Sequence, residues 1–409
     1  MNQNDRSIVG LVMVAHAMVH TYELSVPILV TIWLDRFGVT PGTLGLVVSA
    51  GYALFGLGAL PGGLLADAYG SRKLILACLA GMGGSFVLLG LAPNVAILAV
   101  ALVCWGIAAS VYHPSGLALI SKGVTRQGPA FAYHGMAGNL GIALGPLTTA
   151  LLLLFFDWRV VVVLLAVPAT LALLFALTVE FDETASVEEA VGDGGDARAD
   201  GGVSSFSEFV RDSRTLFAGA FVLVFGVVMF SGLYYRGVLT FLPEMLANRP
   251  LFDPVTVGGR NVEPSRYLYA GLLVLGIGGQ YAGGMLTDRI RVERGITGAF
   301  AVLAVISLLY VPALNAGLAT LLAVSALLGF ALFVVQPMYQ AAVAEYTPPG
   351  TRGLSYGYTY LGVFGVGALG AGIAGVVLEL FSPSALLAVL CGSALAATAF
   401  GLVLSIRSE

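Results

Sequence analysis

The chain has 409 residues, of which 58% are hydrophobic and 10% charged, and its formal net charge is −4. Such a composition excludes an ordinary water-soluble domain, and the lack of a basic surplus argues against nucleic-acid binding. About twelve apolar spans of roughly twenty residues follow one another, and this length crosses a bilayer as a helix.

We predict helices at 8–34, 42–65, 73–92, 95–120, 128–155, 159–180, 215–243, 267–286, 295–313, 317–343, 353–380 and 385–405. They predict an all-α membrane protein with twelve transmembrane helices in two pseudo-symmetric six-helix bundles, residues 1–180 and 215–409. A cytoplasmic acidic linker, 181–214, joins the bundles. Arginine and lysine concentrate on the side of the N-terminus, so we expect both termini in the cytoplasm.

The first helix carries a polar stripe. His16, His20 and Glu23 are spaced i, i+4, i+7, so they share one helical face, which Pro27 continues. A charged group deep in a bilayer costs at least a few kcal/mol, so this face must meet protein or a water-filled cavity. We predict that Glu23 carries a proton and that His20 and His16 tune it. The alternative is a structural contact between helices, and we expect no metal at the histidine pair.

A glycine-rich turn over 62–73 separates the second and third helices, and a shorter copy over 283–291 follows the eighth. We predict that both turns lie at the membrane surface and form a cytoplasmic gate, and the alternative is a simple basic anchor. The gate positions are Gly63, Asp67, Gly70, Arg72 and Lys73 in the first turn and Asp288, Arg289 and Arg291 in the second.

Polar side chains in four other helices are candidates for a substrate cavity between the halves. They are Tyr112, His113, His134, Asn139, Tyr235, Arg236 and Gln336. Arg236 precedes Pro243 by the same number of residues as His20 precedes Pro27. Helices 1 and 7 are expected to occupy equivalent positions in the two halves. We therefore expect an acid on helix 1 and a base on helix 7 to meet. The alternative is that Arg236 is an anchor that reaches outward to the membrane surface.

The segment 181–213 is rich in aspartate, glutamate, glycine and alanine. Such a sequence cannot bury a core, so it predicts a mobile spacer between the halves. The outer loop 246–266 has no counterpart in the first half and no role that the sequence indicates.

The first turn resembles the loop between helices 2 and 3 of the major facilitator superfamily, and the second turn resembles the copy between helices 8 and 9. The run from Tyr112-His113-Pro114 through Arg126 to Gly138-Asn139 and Gly145-Pro146 is similar to the drug–proton antiporters. It looks most like their fosmidomycin-resistance branch.

The resemblance implies a secondary transporter that moves a small solute by alternating access. It implies that the solute is exported in exchange for protons. One alternative is coupled uptake of a small anionic solute, with Arg236 as its counter-charge, and another is a transporter-like membrane sensor. We expect no enzymatic activity, cofactor or nucleic-acid partner. The expected partners are the solute, protons and the lipid bilayer, and the expected form is a monomer in the cell membrane.

Deleting residues 188–202 should leave insertion and transport largely intact, because a disordered spacer supplies reach rather than contacts. The measurement compares membrane insertion and solute flux of the deletion with those of the full chain. Loss of either, in a deletion that still spans the gap, would give the acidic segment a specific role.

Overall fold

The computed structural model describes residues 1–187 and 206–408, which are almost entirely helical. The first helices are α1 (Gln3–Phe37), α2 (Pro41–Leu57), α3 (Ala59–Tyr69), α4 (Ser71–Leu91), α5 (Val95–Ser110), α6 (Tyr112–Gly123), α7 (Gln127–Leu152) and α8 (Trp158–Thr178). The later helices are α9 (Phe206–Ala218), α10 (Phe221–Ala247), α11 (Pro264–Thr287), α12 (Val292–Ala313), α13 (Leu318–Glu345), α14 (Arg352–Tyr360), a π-helix (Leu361–Val366), α15 (Leu369–Leu380) and α16 (Pro383–Arg407).

Ten helical spans in the described chain are long and apolar enough to cross a membrane, or eleven when α2 and α3, bent by 45°, are taken as one. Side chains such as Leu91 and Leu171 are more than half exposed, so lipid must cover the outer surface. The chain is therefore a multi-pass membrane protein. Helix α11 is about 36 Å long but falls outside this set because glycines and Gln280 lower its mean hydropathy.

Small residues bring α7 against α1. A Cβ atom at Gly141 would lie 2.2 Å from the carbonyl oxygen of Ala17, and one at Gly138 would lie 2.5 Å from the His16 ring. The absence of side chains at these positions lets the two backbones approach closely, as in other membrane helix pairs. The glycine run of α7 thus forms the surface on which the polar stripe of α1 rests.

Helix α2 belongs to the first half of the chain and packs along the π-helix and α15 of the second half. At the crossing with the π-helix, a Cβ at Gly56 would lie 1.9 Å from the amide nitrogen of Gly365. At the start of α2, the Gly42 amide donates to the Glu379 carboxylate at 2.9 Å. Helices α1 and α10 also meet, and α7 meets α11.

The outer loop 246–266 contains a 3-10 turn, Pro250–Phe252, and a hairpin of β1 (Val255–Val257) and β2 (Arg260–Val262). Val257 pairs with Arg260 in the antiparallel register, and the two glycines between the strands have positive φ, which suits a tight turn. The Arg260 guanidinium donates to the Leu154 carbonyl at 2.9 Å. The loop therefore covers the end of α7.

The structure corrects four helix predictions. The expected helix 215–243 is interrupted at residues 219–220, between α9 and α10. The expected helix 42–65 bends at Gly58, between α2 and α3. The expected helix 95–120 is interrupted at Val111, because Pro114 has no N–H to offer the Ser110 carbonyl. The expected helix 353–380 contains the π-helix.

The predicted linker is shorter than expected at both ends. Asp182 and Asn4 bond reciprocally, at 2.7 and 3.1 Å, and the Glu183 carboxylate accepts from the amide of Ser71 at 2.8 Å, which caps α4. Helix α9 begins inside the predicted linker and packs on α14, where the Ser213 hydroxyl lies 2.9 Å from that of Tyr358. The spacer 188–202 lies outside the described residues.

Gly56→Ala should lower the stability of the folded protein by about 1–3 kcal/mol or more, because the new Cβ overlaps backbone that cannot move aside. Gly84→Ala is the matched control, since nothing lies within 4 Å of its Cβ position. Thermal unfolding in detergent checks the pair. Equal midpoints for the two variants would contradict the close approach of α2 and the π-helix.

Candidate functional site

A buried ion pair joins the two halves of the chain. Glu23 on α1 is 1% exposed and Arg236 on α10 is 2% exposed. One nitrogen of the Arg236 guanidinium donates to Glu23 Oε1, and His20 Nδ1 lies 2.5 Å from Glu23 Oε2. The acid of the first membrane helix and the base of the seventh thus meet. Arg236 pairs with Glu23 and not with His20, the residue that has the same spacing from the proline of its helix.

Aromatic rings surround the guanidinium of Arg236. Its central carbon lies 3.8 Å from the ring centroid of Tyr52, 5.5 Å from Phe364 and 5.6 Å from Tyr235. These cation–π contacts stabilise a cation that has left water. The Tyr52 hydroxyl also donates to the backbone carbonyl of Glu23 at 3.0 Å, which holds α2 against α1.

A row of hydrogen-bond contacts extends from Glu23 along α1 through His20 to His16. Nε2 of His20 and Nε2 of His16 lie 3.0 Å apart, and Nδ1 of His16 lies 2.7 Å from the backbone carbonyl oxygen of His134. The three residues that the sequence grouped by helical spacing are therefore connected: Glu23, His20 and His16. We refer to them as the proton chain.

The contacts set how many protons a complete hydrogen-bond network would need. A carbonyl oxygen only accepts, so a hydrogen bond to it requires a proton on Nδ1 of His16. A hydrogen bond between the two facing Nε2 atoms requires one proton, and a hydrogen bond between His20 Nδ1 and Glu23 requires another. The complete network would therefore need one proton more than an ionised carboxylate and two neutral imidazoles hold.

The other two histidines pack around His16. The His134 ring stacks on it at a centroid distance of 3.9 Å, and the His113 ring meets it edge-on at 5.2 Å. The Tyr112 ring lies 5.4 Å from His16 and 6.0 Å from His134, and its hydroxyl donates to the Val12 carbonyl. These side chains were predicted to line a substrate cavity, but they form a cluster around His16 and are not on the wall of the cavity described below.

One cavity lies beside the ion pair, between the two halves, with a volume of about 40 Å³. Of the predicted residues, it is lined by His20, Glu23, Tyr235 and Gln336. Asn139 is half-buried on α7, and Arg236 lies behind the wall that Tyr235 forms. The volume holds one or two water molecules, so the two halves are closed around the site.

Sequence reasoning missed most of the cavity wall. It is aromatic and apolar, and its rings include Tyr234, Phe300, Phe333, Tyr339 and Phe364. No signal in the sequence separates these rings from aromatic residues that face lipid, because both occur in apolar spans without a regular spacing.

Four predicted gate residues make contacts within their own half of the chain. Lys122 Nζ lies 2.6 Å from Asp67 Oδ1, and Arg72 donates to the carbonyl oxygen of Ala176 at 3.1 Å. The glycine at the α3–α4 junction, Gly70, has a φ of 86°, which requires glycine. Arg291 donates to the side chains of Glu293 and Ser408 at 3.3 and 2.8 Å.

The remaining gate positions make no such contact among the described residues. A Cβ at Gly63 would meet no atom within 4 Å, and Lys73, Asp288 and Arg289 are exposed. The described contacts therefore hold each turn to its own half, and a role in gating stays a prediction.

Ring nitrogens of His16, His20 and His113 lie within 4.8 Å of one another, a spacing that metal sites also show. Here the hydrogen bonds of His16 and His20 already occupy both nitrogens of each ring. The cluster therefore fits the proton chain, and we assign no metal to it.

The family model of the Major Facilitator Superfamily matches residues 9–367. The chain belongs to this superfamily. The family match agrees with the resemblance drawn from the glycine-rich turns over 62–73 and 283–291. The match does not extend to a branch within the superfamily.

Curated relatives include resistance proteins and a sugar-acid transporter. The chain is 30% identical over 241 residues to the puromycin resistance protein of Streptomyces alboniger, which covers 58% of this chain and 46% of that protein. It is 32% identical over 155 residues to the lincomycin resistance protein of Streptomyces lincolnensis, covering 37% of this chain and 32% of that protein. The matched regions thus span half or less of these relatives.

A third relative is the Escherichia coli protein named Probable L-galactonate transporter, 25% identical over 320 residues, 74% of this chain and 66% of that protein. Among solved structures, a transporter of the POT family in complex with 5-aminolevulinic acid aligns with a TM-score of 0.76 at 13% identity, covering 98% of this chain and 96% of that one. A bacterial homologue of the lysosomal transporter Spinster aligns at 0.72 and 16%, covering 99% and 96%. These structural matches show the fold alone.

Arg236→Met should destabilise the protein by roughly 3 kcal/mol, the lower end for a broken buried ion pair, because Glu23 keeps His20 as a partner. The double variant Glu23→Gln/Arg236→Met should recover most of this loss, since no unpaired charge stays buried. Thermal unfolding of the variants in detergent tests both statements. Losses that simply add in the double variant would show that the two residues do not interact.

Proposed function

We propose that this transporter exports a small amphipathic solute in exchange for protons. Its twelve spans, with α11 counted, form two six-helix bundles, residues 1–180 and 215–409, joined by the linker 181–214. It works as a monomer in the plasma membrane with both termini in the cytoplasm. Within the superfamily we place it with the drug–proton antiporters, on the fosmidomycin-resistance branch.

The observation that carries this proposal is the row of short polar contacts in the proton chain next to a small cavity. A complete set of hydrogen bonds among Glu23, His20 and His16 needs one extra proton, and the adjoining cavity has only about 40 Å³. Contacts close the cavity on both sides: the Phe55 and Phe364 rings are 4.6 Å apart on one side, and Gly42 bonds Glu379 on the other.

A closed site of about 40 Å³ has room for water but not for a solute, and such a site with a proton bound to the proton chain suits the return step of an antiporter. A symporter must avoid that state, because a proton that crosses alone dissipates the gradient. An antiporter needs it, because the proton has to cross after the solute has left. The geometry therefore favours exchange over co-transport, and with an inward proton gradient exchange means export.

The cavity wall indicates the chemistry of the solute. Aromatic rings from α10, α12, α13 and the π-helix face a carboxyl group and the amide of Gln336. Such a surface suits a flat or amphipathic molecule with one polar end. The puromycin and lincomycin resistance relatives are consistent with solutes of this kind.

Uptake of an anionic solute is the second candidate. Nε of Arg236 is buried and has no hydrogen-bond partner among the described residues, so the guanidinium has a donor to spare. A carboxylate that entered the site would compete with Glu23 for Arg236 and release the acid for protonation. The similarity to the galactonate protein agrees with this alternative.

Proteoliposomes with an imposed proton gradient test the proposal against puromycin, lincomycin, fosmidomycin and L-galactonate. Glu23→Gln removes the titratable group but keeps its shape, so gradient-driven transport should fall at least tenfold. Exchange of labelled for unlabelled solute should survive in part, because it needs no net proton movement. His20→Gln should shift the pH optimum more than it lowers the maximum rate.

Glu345→Gln is the matched control, since this carboxyl is exposed at the end of α13 and far from the proton chain. Export driven by an inward proton gradient supports the proposal, and accumulation of L-galactonate in the same direction as protons supports uptake. Full proton-driven transport by Glu23→Gln, with an unchanged pH profile, would exclude Glu23 as the coupling group.

A further inference from the structure

The proton chain runs along α1 toward one face of the membrane. Helix α1 begins at Gln3, on the face where α16 ends, and we call this face the termini side. His16 lies about 6 Å closer to it than His20, and Glu23 lies about 4.5 Å further away than His20, at 1.5 Å of rise per residue. The chain therefore leads from the ion pair toward the termini side and ends at His16.

We propose that His113 on α6 is the next carrier and passes the proton from the proton chain to water on the termini side. This rests on the proposed proton coupling, and it replaces the substrate-cavity role predicted for His113. His113 is a proton relay separate from the solute route, because it packs beside His16 and is not one of the residues that line the cavity.

The distances suit transfer through a single water molecule. Ring nitrogens of His113, His16 and His20 lie within 4.8 Å of one another, a separation that one bridging water spans with two hydrogen bonds. When the hydrogen bond between the two Nε2 atoms breaks, its proton passes to this water, and the water passes one of its own protons to His113. His113 then releases one proton from its ring, so one proton enters and one leaves.

The second half of the chain covers His113 in this closed form. The Tyr360 ring lies 4.7 Å from it and the Phe364 ring 5.8 Å, and both side chains belong to the α14–π-helix segment. Phe55 of α2 lies 5.7 Å away on a third side. Movement of the α14–π-helix segment away from α6 would expose His113 to water, which ties proton release to opening of the termini side.

His134 is the rival carrier, and its geometry is less suitable. Its ring stacks on His16 with an angle of 15° between the planes, so the N–H bonds of the two rings lie in nearly parallel planes and do not point at each other. Its contribution to the proton chain is its backbone carbonyl oxygen, and its own Nε2 is buried with no hydrogen-bond partner among the described residues. A stacked ring shields His16 but offers no line for proton transfer.

Several titratable groups face His113, and each belongs to this cluster. They are His16 and His20 on α1, Tyr112 on α6, His134 on α7 and Tyr360 on α14. The charge nearest to them is the Glu23–Arg236 pair, which reaches His113 through His20. The rate of proton release therefore reports on this cluster and not on a distant surface group.

A pH jump on the purified full chain in detergent tests the relay without any solute. Infrared bands of the Glu23 carboxyl group and of the histidine rings, assigned by comparison with Glu23→Gln, follow the loss of the proton. His113→Gln should slow this loss at least tenfold, and His134→Gln should leave it within twofold. His113→Glu, which restores a titratable side chain, should recover most of the rate.

Unchanged release in His113→Gln, or equal slowing in His134→Gln, would overturn the relay. If His113→Gln fails to fold, as judged by its thermal unfolding, His113→Glu decides, and a tenfold slower release in that variant also overturns the proposal. The test needs no transport, so its failure is distinct from failure of the proposed export.

Discussion

The contact between Glu23 and Arg236 is the constraint on which the rest of the site depends. Two opposite charges leave water together in the middle of a membrane protein, and their desolvation cost is offset by their mutual attraction and by further contacts to each group. His20 meets the second carboxylate oxygen, and Tyr52, Tyr235 and Phe364 face the guanidinium. Because Glu23 and Arg236 lie on different halves, the pair is complete only when the halves are together.

Under the proposed coupling, the charge balance of the site links the proton to this closure. Arg236 contributes one positive charge and Glu23 one negative charge, and a proton bound to the proton chain would add another positive charge. A solute or a change in protonation would therefore alter the balance that holds α1 against α10. The proposed coupling needs no long pathway, because Glu23, the group proposed to bind the proton, also joins the two halves.

Close backbone approach makes the buried network possible. The glycines of α7 admit the His16 ring and bring α7 onto α1, and Gly56 and Gly365 bring α2 onto the π-helix, which carries Phe364 to Arg236. The Gly-Pro run, from which the antiporter resemblance was drawn, is thus also the surface on which the histidines pack. Substitutions in this run would disturb packing and proton chemistry together.

The sequence alone determined the helical membrane fold, the duplicated turns and the linked set of Glu23, His20 and His16, because apolar length and the helical repeat act locally. It also suggested the acid–base contact, through the equal spacing before Pro27 and Pro243. Only the tertiary structure decided that Arg236 pairs with Glu23, that His113 and His134 surround His16, and that Tyr52 and Phe364 enclose the guanidinium. These contacts join residues far apart in the chain, and their formation depends on how glycine surfaces pack, which no local pattern encodes.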